Sequence, residues 1–184
     1  MKRIITIIVC LLLLFHPIKV NAQEVDGVFM PSIGVNEVIS EITIDQIKWA
    51  YAKELGEQQL QSEELRLMSA IIWCEAGNQC EAGKQAVGIV VMNRVDSASF
   101  ANTVEDVIYE PGQFRPKEDG SLKKALKMYD NGELPQECID IAKFCLEGNT
   151  VITYNGKSID MSEYLFFARY RPDATLIIED HQFK

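Results

Sequence analysis

The sequence predicts an α+β, mainly helical domain with a small extended β flap, and three observations carry that expectation. Strongly apolar segments at residues 65–73 and 81–95 have helical spacing, and two further helical stretches follow at 122–129 and 135–147. Beyond Gly148 the texture changes to short β-prone runs at 151–154, 165–168 and 176–178, separated by Asn155-Gly156 and Arg171-Pro172. The chain has 184 residues, and what remains after a leader suits one domain with a real core.

That leader is residues 1–22. Lys2 and Arg3 precede an apolar core over 4–15, and Val20-Asn21-Ala22 forms a small-residue cleavage site, the pattern of a secretory signal peptide. The apolar run is too short for a comfortable membrane span, so a secreted or periplasmic protein without a permanent anchor is expected. Cys10 lies inside the run after Val9, which argues against a lipoprotein cysteine. Cleavage removes Lys2, Arg3 and Lys19 and no acid, so the net charge moves from −9 to −12. Nothing so acidic offers the basic patch that nucleic acid requires.

Residues 23–61 form the N-terminal linker and short helix. The part over 23–44 has no sustained period and contains Pro31, whereas 45–57 places Ile47, Tyr51 and Leu55 at i, i+4 and i+8 and reads as a tether. The main domain, 62–184, begins with a helix that has Ser62 as a plausible N-cap and Gly77 as its stop. Glu75 falls in its last turn, seven residues after Met68, four after Ile71 and three after Ile72, so it continues the apolar stripe. Such a carboxyl points inward. Desolvation and the negative end of the helix dipole both disfavour its ionised form, which suits a general acid; the competing reading is a solvated helix end.

The helix over 81–95 is apolar almost all round and so belongs in the centre of the fold. Asn93 follows Ile89 by four and Ala86 by seven, carrying an amide inward, where it either orients the acid, a loop or a sugar, or serves as a structural bracket. Arg94 follows Val87 and Val91 but is long enough to snorkel to solvent. Thr103 to Asp106 is a capping-box-like helix start, and Pro111-Gly112 forces a turn that projects Gln113 and Phe114. Tyr109 and Phe114 read equally as core aromatics or as cleft walls. The turns at 118–120 and 130–133 lack calcium-loop spacing, so no metal or other cofactor is expected. His181, the one histidine left after cleavage, has no triad partners in the pattern and is either buried or in a cleft. In an oxidising compartment Cys74, Cys80, Cys138 and Cys145 favour disulfides. Cys138 and Cys145 lie seven apart in a helix, roughly 10 Å and too far for a bridge, which leaves a Cys74–Cys80 clamp or a cross-link to the Cys138 helix.

The runs A-I-I-W-C-E-A (70–76), E-A-G-K-Q-A-V-G-I-V-V-M-N-R-V (81–95) and F-A-N-T-V-E-D-V-I-Y-E-P-G-Q-F (100–114), with a closing H-x-F (181–183), resemble the cell-wall hydrolase family that includes the spore cortex-lytic enzyme. Trp73 and Cys74 in the last helix turn, and Lys184 after H-x-F, depart from the usual pattern. The resemblance implies a lysozyme-like domain acting as a lytic transglycosylase on the MurNAc-GlcNAc strand of peptidoglycan. It matches Glu75 to the catalytic glutamate, sets the loop of Gln113 and Phe114 at the cleft, and leaves Asn93, Tyr109 and His181 as further candidates for binding substrate. Peptidoglycan is itself anionic, so binding is expected from the fit of sugars in a cleft, by a monomer. An ordinary glycosidase needs two carboxylates, whereas a substrate that supplies its own C6 hydroxyl needs one. Only Glu75 is turned inward by pattern in the matching segment. The rival readings are a hydrolytic muramidase and a non-catalytic secreted glycan-binding protein.

Overall fold

The computed structural model describes residues 21–25, 28–32 and 44–184, so the expected signal peptide lies outside the described residues except for Asn21 and Ala22. The chain divides into two compact units, Met1–Glu54 and Leu55–Lys184. In the first, β1 (Asn21–Val25) pairs antiparallel with β2 (Val28–Ser32), with Val25 opposite Val28. A segment expected to be unpatterned linker thus contains a hairpin. Pro31 is tolerated within β2 because each strand of a two-stranded ribbon keeps one edge free of the ladder.

The expectation of two separate helices before residue 77 is corrected by a single one, α1 (Ile44–Ala76). Ser62 lies in its interior and caps nothing. The intervening EQQLQSEE is made largely of good helix formers, and the lone Gly56 costs only about 1 kcal/mol relative to alanine, too little to end a helix that packing holds at its C-terminal end. None of the helices among the described residues is long and apolar enough to cross a membrane.

The core of the second unit forms around the C-terminal turns of α1, where Leu67, Met68, Ala70, Ile71 and Ile72 are buried. The central element is α2 (Glu81–Asp96), buried on nearly every side from Ala82 to Val91. Around it lie α3 (Val104–Tyr109), the short α4 (Arg115–Glu118), α5 (Ser121–Asp130) and α6 (Gln136–Leu146). The start of α3 is fixed as the sequence proposes, with Thr103 Oγ1 accepting from the Asp106 amide at 3.1 Å. Close approach of three helices depends on Gly88: a Cβ there would lie 2.6 Å from Cys145 Sγ on α6 and 2.9 Å from Ile72 Cδ1 on α1. Nearby, the buried Lys84 ammonium donates to Glu137 Oε2 at 2.7 Å, so the one charge carried into this packed face is partnered.

After α6 the chain turns to short strands. β3 (Val151–Tyr154) and β4 (Lys157–Asp160) form a hairpin through Asn155-Gly156, whose φ values of 50° and 72° are those of a type I′ turn. A second sheet has the order β5-β7-β6, made of β5 (Phe167–Ala168), β6 (Leu176–Ile178) and β7 (His181–Phe183). These sheets are the extended flap, and the described architecture is mainly helical α+β. β4 and β7 were not expected as strands, and β5 is shorter than the 165–168 run.

The expected disulfides are not formed, since Cys74, Cys80, Cys138 and Cys145 are free thiols. Each sulfur has its own neighbours. Cys145 faces Gly88 and donates to the Gln85 carbonyl at 3.7 Å, whereas Cys74 interacts with Ser121. Burial pushes the Cys145 thiol up to about 12, and mainly burial raises Cys74 to about 11, so both are poor thiolates.

Gly88→Ala should destabilise the fold by roughly 1–3 kcal/mol, the usual cost of overpacking, and adding Cys145→Ala should restore part of that loss. Denaturant unfolding of the single and double variants checks both. Strict additivity of the two substitutions would show that they do not share one space.

Candidate active site

Glu75 is presented by the last turn of α1. Below it on the same stripe Met68, Ile71 and Ile72 are fully buried, and the carboxyl itself is half-buried, as its spacing requires. The helix stops one residue later. The Gly77 amide still donates to the Trp73 carbonyl at 3.0 Å, and a Cβ on Gly77 would lie 2.6 Å from the Trp73 ring. The Trp73 carbonyl oxygen would be closer still, at 2.5 Å, so Gly77 leaves room for both that carbonyl and the indole. The loop that follows is tied to the flap. Gln79 and Asp180 bond reciprocally, at 3.3 Å from Gln79 Nε2 to Asp180 Oδ2 and 3.2 Å from the Asp180 amide to Gln79 Oε1. The Cys80 amide, at the start of α2, donates to Glu179 Oε2 at 2.6 Å, so a carboxylate from the flap meets an N-terminus that has no side-chain cap of its own.

Three influences set the Glu75 proton. Burial raises its pKa, the Asp119 carboxylate raises it further, and the Arg94 guanidinium pulls it down; the net shift is upward. Asp119 is a dependable anion, held below the usual carboxylate range by its bonds to Ser121, whose amide donates to Asp119 Oδ1 at 2.9 Å. No local pattern signals this partner, because Glu118-Asp119-Gly120 reads as an ordinary solvated turn. Beside this end of α1 opens a cavity of about 480 Å³ lined by Trp73, Cys74, Gly77, Asn78, Ser121 and Lys124, among others. An indole, an ammonium, one hydroxyl and one side-chain amide are among the groups from which sugar sites are built.

The other candidates divide. Gln113 is half-buried on the turn after α3, where its backbone N–H donates to the Glu110 carbonyl at 3.3 Å and Gly112 has φ 76°, a type II turn about Pro111-Gly112. Tyr109 ends α3 and is 38 % exposed, with its carbonyl accepting from the Lys117 ammonium. Phe114 is only 1 % exposed, against Phe167 and the Arg94 guanidinium, which corrects its cleft assignment: the turn drives this ring into the core. His181 is corrected in the same way. It is 5 % exposed with its ring 5.3 Å from that of Phe167 and 6.1 Å from that of Phe183, and burial lowers its pKa, so it stays neutral packing. Asn93 has both amide hydrogens engaged, to the Met161 carbonyl at 2.7 Å and the Tyr164 carbonyl at 2.8 Å, and brackets the flap. Among the described residues no cluster of three metal-ligating side chains occurs.

A raised carboxyl pKa means that the folded chain holds the proton more tightly than the unfolded chain. Between the two pKa values the native state binds more protons, so this group's contribution makes stability fall as pH rises. Glu75→Gln, which cannot ionise, should therefore melt above the parent protein at pH above the raised folded-state pKa and lose that advantage as pH falls from there to the unfolded carboxyl range. Calorimetry across pH checks this, and a pH-independent difference would deny the desolvation.

The family described as Cell Wall Hydrolase matches residues 78–184, beginning three residues after Glu75. The spore cortex-lytic enzyme of Bacillus cereus (strain ATCC 14579) is 41% identical over 59 residues, which are 32% of this chain and 23% of that protein. The spore cortex-lytic enzyme of Oceanobacillus iheyensis is 37% identical over 59 residues, 32% of this chain and 21% of its own length. The match thus spans less than a quarter of these relatives. Among solved structures, the catalytic domain of the germination-specific lytic transglycosylase SleB from Bacillus anthracis aligns with a TM-score of 0.48 at 25% identity, over 65% of this chain and 92% of that one.

Proposed function

The chain belongs to the cell wall hydrolase family, and on that premise we propose that it cuts the glycan strand of peptidoglycan by lytic transglycosylation, with Glu75 as acid and then base. The observation that carries this reading is the half-buried Glu75 carboxyl at the end of α1, its pKa raised by burial and by Asp119, on the helix turn whose Trp73, Cys74 and Gly77 line a cavity.

The steps follow from one carboxyl. Protonated Glu75 gives its proton to the glycosidic oxygen as the bond from that oxygen to the anomeric carbon of MurNAc breaks. The resulting carboxylate accepts the proton of the substrate's own C6 hydroxyl as that oxygen bonds to the anomeric carbon, closing a 1,6-anhydro ring. Glu75 is then protonated again. Because the nucleophile is tethered to the reacting sugar, no water has to be held, and intramolecularity supplies part of the rate. Gln113 and Tyr109 are proposed to meet the strand beyond the acid, and the Trp73 cavity to seat a sugar beside it. A secreted or periplasmic monomer with peptidoglycan as its only partner fits this reading.

One observation favours a second reading. Asp119 is close enough to Glu75 to act on its charge, and a second carboxylate is what a hydrolytic muramidase needs to activate water. The two readings differ in product and in mutant behaviour. Glu75→Gln should fold, bind sacculi and lose about 10²–10⁴ in turnover, the range of general acid–base catalysis. Asp119→Asn should keep most activity. Mass spectrometry of the digest should find 1,6-anhydro ends; reducing muramic acid ends together with an inactive Asp119→Asn variant would establish hydrolysis, and near-normal turnover by Glu75→Gln would remove Glu75 from the chemistry.

A further inference from the structure

Residues 77–80 alone join the turn of α1 that carries Glu75 to the start of α2, and this short link is held by the far end of the chain. The Gln79 N–H returns to the Ala76 carbonyl at 2.9 Å, so the link is continuous with the last turn of α1. The Gln79 side chain is 7 % exposed, with both its nitrogen and its oxygen bonded. Nε2 donates to Asn78 Oδ1 and to Asp180 Oδ2, each at 3.3 Å, and Oε1 accepts from the Asp180 N–H at 3.2 Å. Gly83, in the first turn of α2, makes room for it, since a Cβ there would lie 2.9 Å from Gln79 Cβ. One residue further on, the Cys80 N–H donates to Glu179 Oε2 at 2.6 Å.

The residue that supplies this carboxylate has an unfavourable backbone. Glu179 and Asp180 are the two-residue connection of the β6–β7 hairpin, between the paired Ile178 and His181, and Glu179 has φ 47°. A positive φ in such a turn is normally given to glycine, asparagine or aspartate. The other non-glycine residue with positive φ among those described is Asn155, one of the tolerated types. A strained residue is kept where its side chain is needed. The use of Glu179 is to cap α2, whose own N-cap, Cys80, supplies no side-chain bond. The Glu179 N–H also donates to the Tyr154 hydroxyl at 3.4 Å, so β3 braces the same turn.

We propose that Glu179 and Gln79 are positioning residues for glycan cleavage, a polar latch that holds the β6–β7 turn against the loop behind Glu75 and so fixes where the end of α1 presents its carboxyl. The inference rests on Glu75 being the acid. A general acid must lie within hydrogen-bond reach of the oxygen it protonates, so small displacements cost turnover. The last turn of a helix is also the part that frays, because its final carbonyls lack partners within the helix. With the latch closed, the link after Glu75 moves only if the Gln79–Asp180 pair and the Cys80–Glu179 bond break together. Neither latch residue exchanges a proton with the substrate.

The test reads position and turnover separately in the full chain, by amide hydrogen exchange at Gly77, Gln79 and Cys80 and by kcat and KM on soluble glycan strands. Glu179→Gly removes the carboxylate but suits the positive φ, so the thermal midpoint should move little. The three loop amides should exchange about tenfold faster or more, while those of Val87 to Val91 in the middle of α2 keep their protection. The same variant should lose about 10- to 100-fold in kcat with KM little changed, the cost of misplacing a reacting group by up to about an ångström. Glu179→Gln keeps an acceptor of the same reach and should retain most of kcat, and Gln79→Ala should reproduce the loss from the other side of the latch. Unchanged kcat in Glu179→Gly despite faster loop exchange would make the contact purely structural and overturn the proposal. So would unaltered loop exchange, an equal loss in Glu179→Gln, or a rise in KM alone. If Gln79→Ala does not fold, the two Glu179 variants decide. Failure of the acid assignment would register separately, as full turnover by Glu75→Gln.

Discussion

A carboxyl at the C-terminal end of a helix meets a carbonyl-rich, negative environment, and one that also continues the buried face of that helix loses water as well. Glu75 occupies such a position, and much of the second unit serves to maintain it. The C-terminal turns of α1 must be buried for the carboxyl to be desolvated, which requires a partner apolar on all sides. That partner is α2, whose Gly88 lets α1 and α6 approach together. The helix also ends at once after Glu75, so that no further turn of helix covers the carboxyl. Gly77, pressed against the Trp73 ring, makes that ending compact.

The flap is held by polar satisfaction more than by strand pairing. Its strands are two to four residues long, too short to be stable alone. What anchors them is the end of α2, where Asn93 and Arg94 bond the carbonyls of Met161, Tyr164 and Leu165, and the loop before α2, where Gln79 and the Cys80 amide bond Asp180 and Glu179. Both ends of one helix therefore grip the flap.

What the sequence made legible was local. The spacing of Glu75 after Met68, Ile71 and Ile72, the all-round apolar character of α2, the Thr103 cap and the turn at Asn155-Gly156 each depend on neighbours within a few residues, and each is found. What stayed hidden was set across the fold. Phe114 and His181 carry the same side chains whether they line a cleft or fill a core, and only the packing of β5 and β7 decides for the core. Asn93 was expected to need partners, but that these are flap carbonyls some seventy residues away is a tertiary fact. Asp119 reads as solvated and is, yet its charge reaches Glu75. The continuity of α1 is masked by Ser62 and Gly56, whose local preferences count for little within a strongly helix-forming stretch. The disulfide expectation came from compartment and cysteine count, neither of which fixes the neighbours of a sulfur atom. The Asp-Gly pair at 26–27, flanked by the runs that pair as β1 and β2, was an available hairpin signal.

The central claim is that a glycan strand lies across the end of α1 with its scissile oxygen at Glu75. The most direct measurement is a crystal structure of the Glu75→Gln variant with a bound MurNAc-GlcNAc oligomer. The account predicts a glycosidic oxygen within hydrogen-bonding distance of the residue 75 side chain, with the MurNAc C6 hydroxyl facing its own anomeric carbon. A strand bound with every glycosidic oxygen out of reach of residue 75 would contradict it.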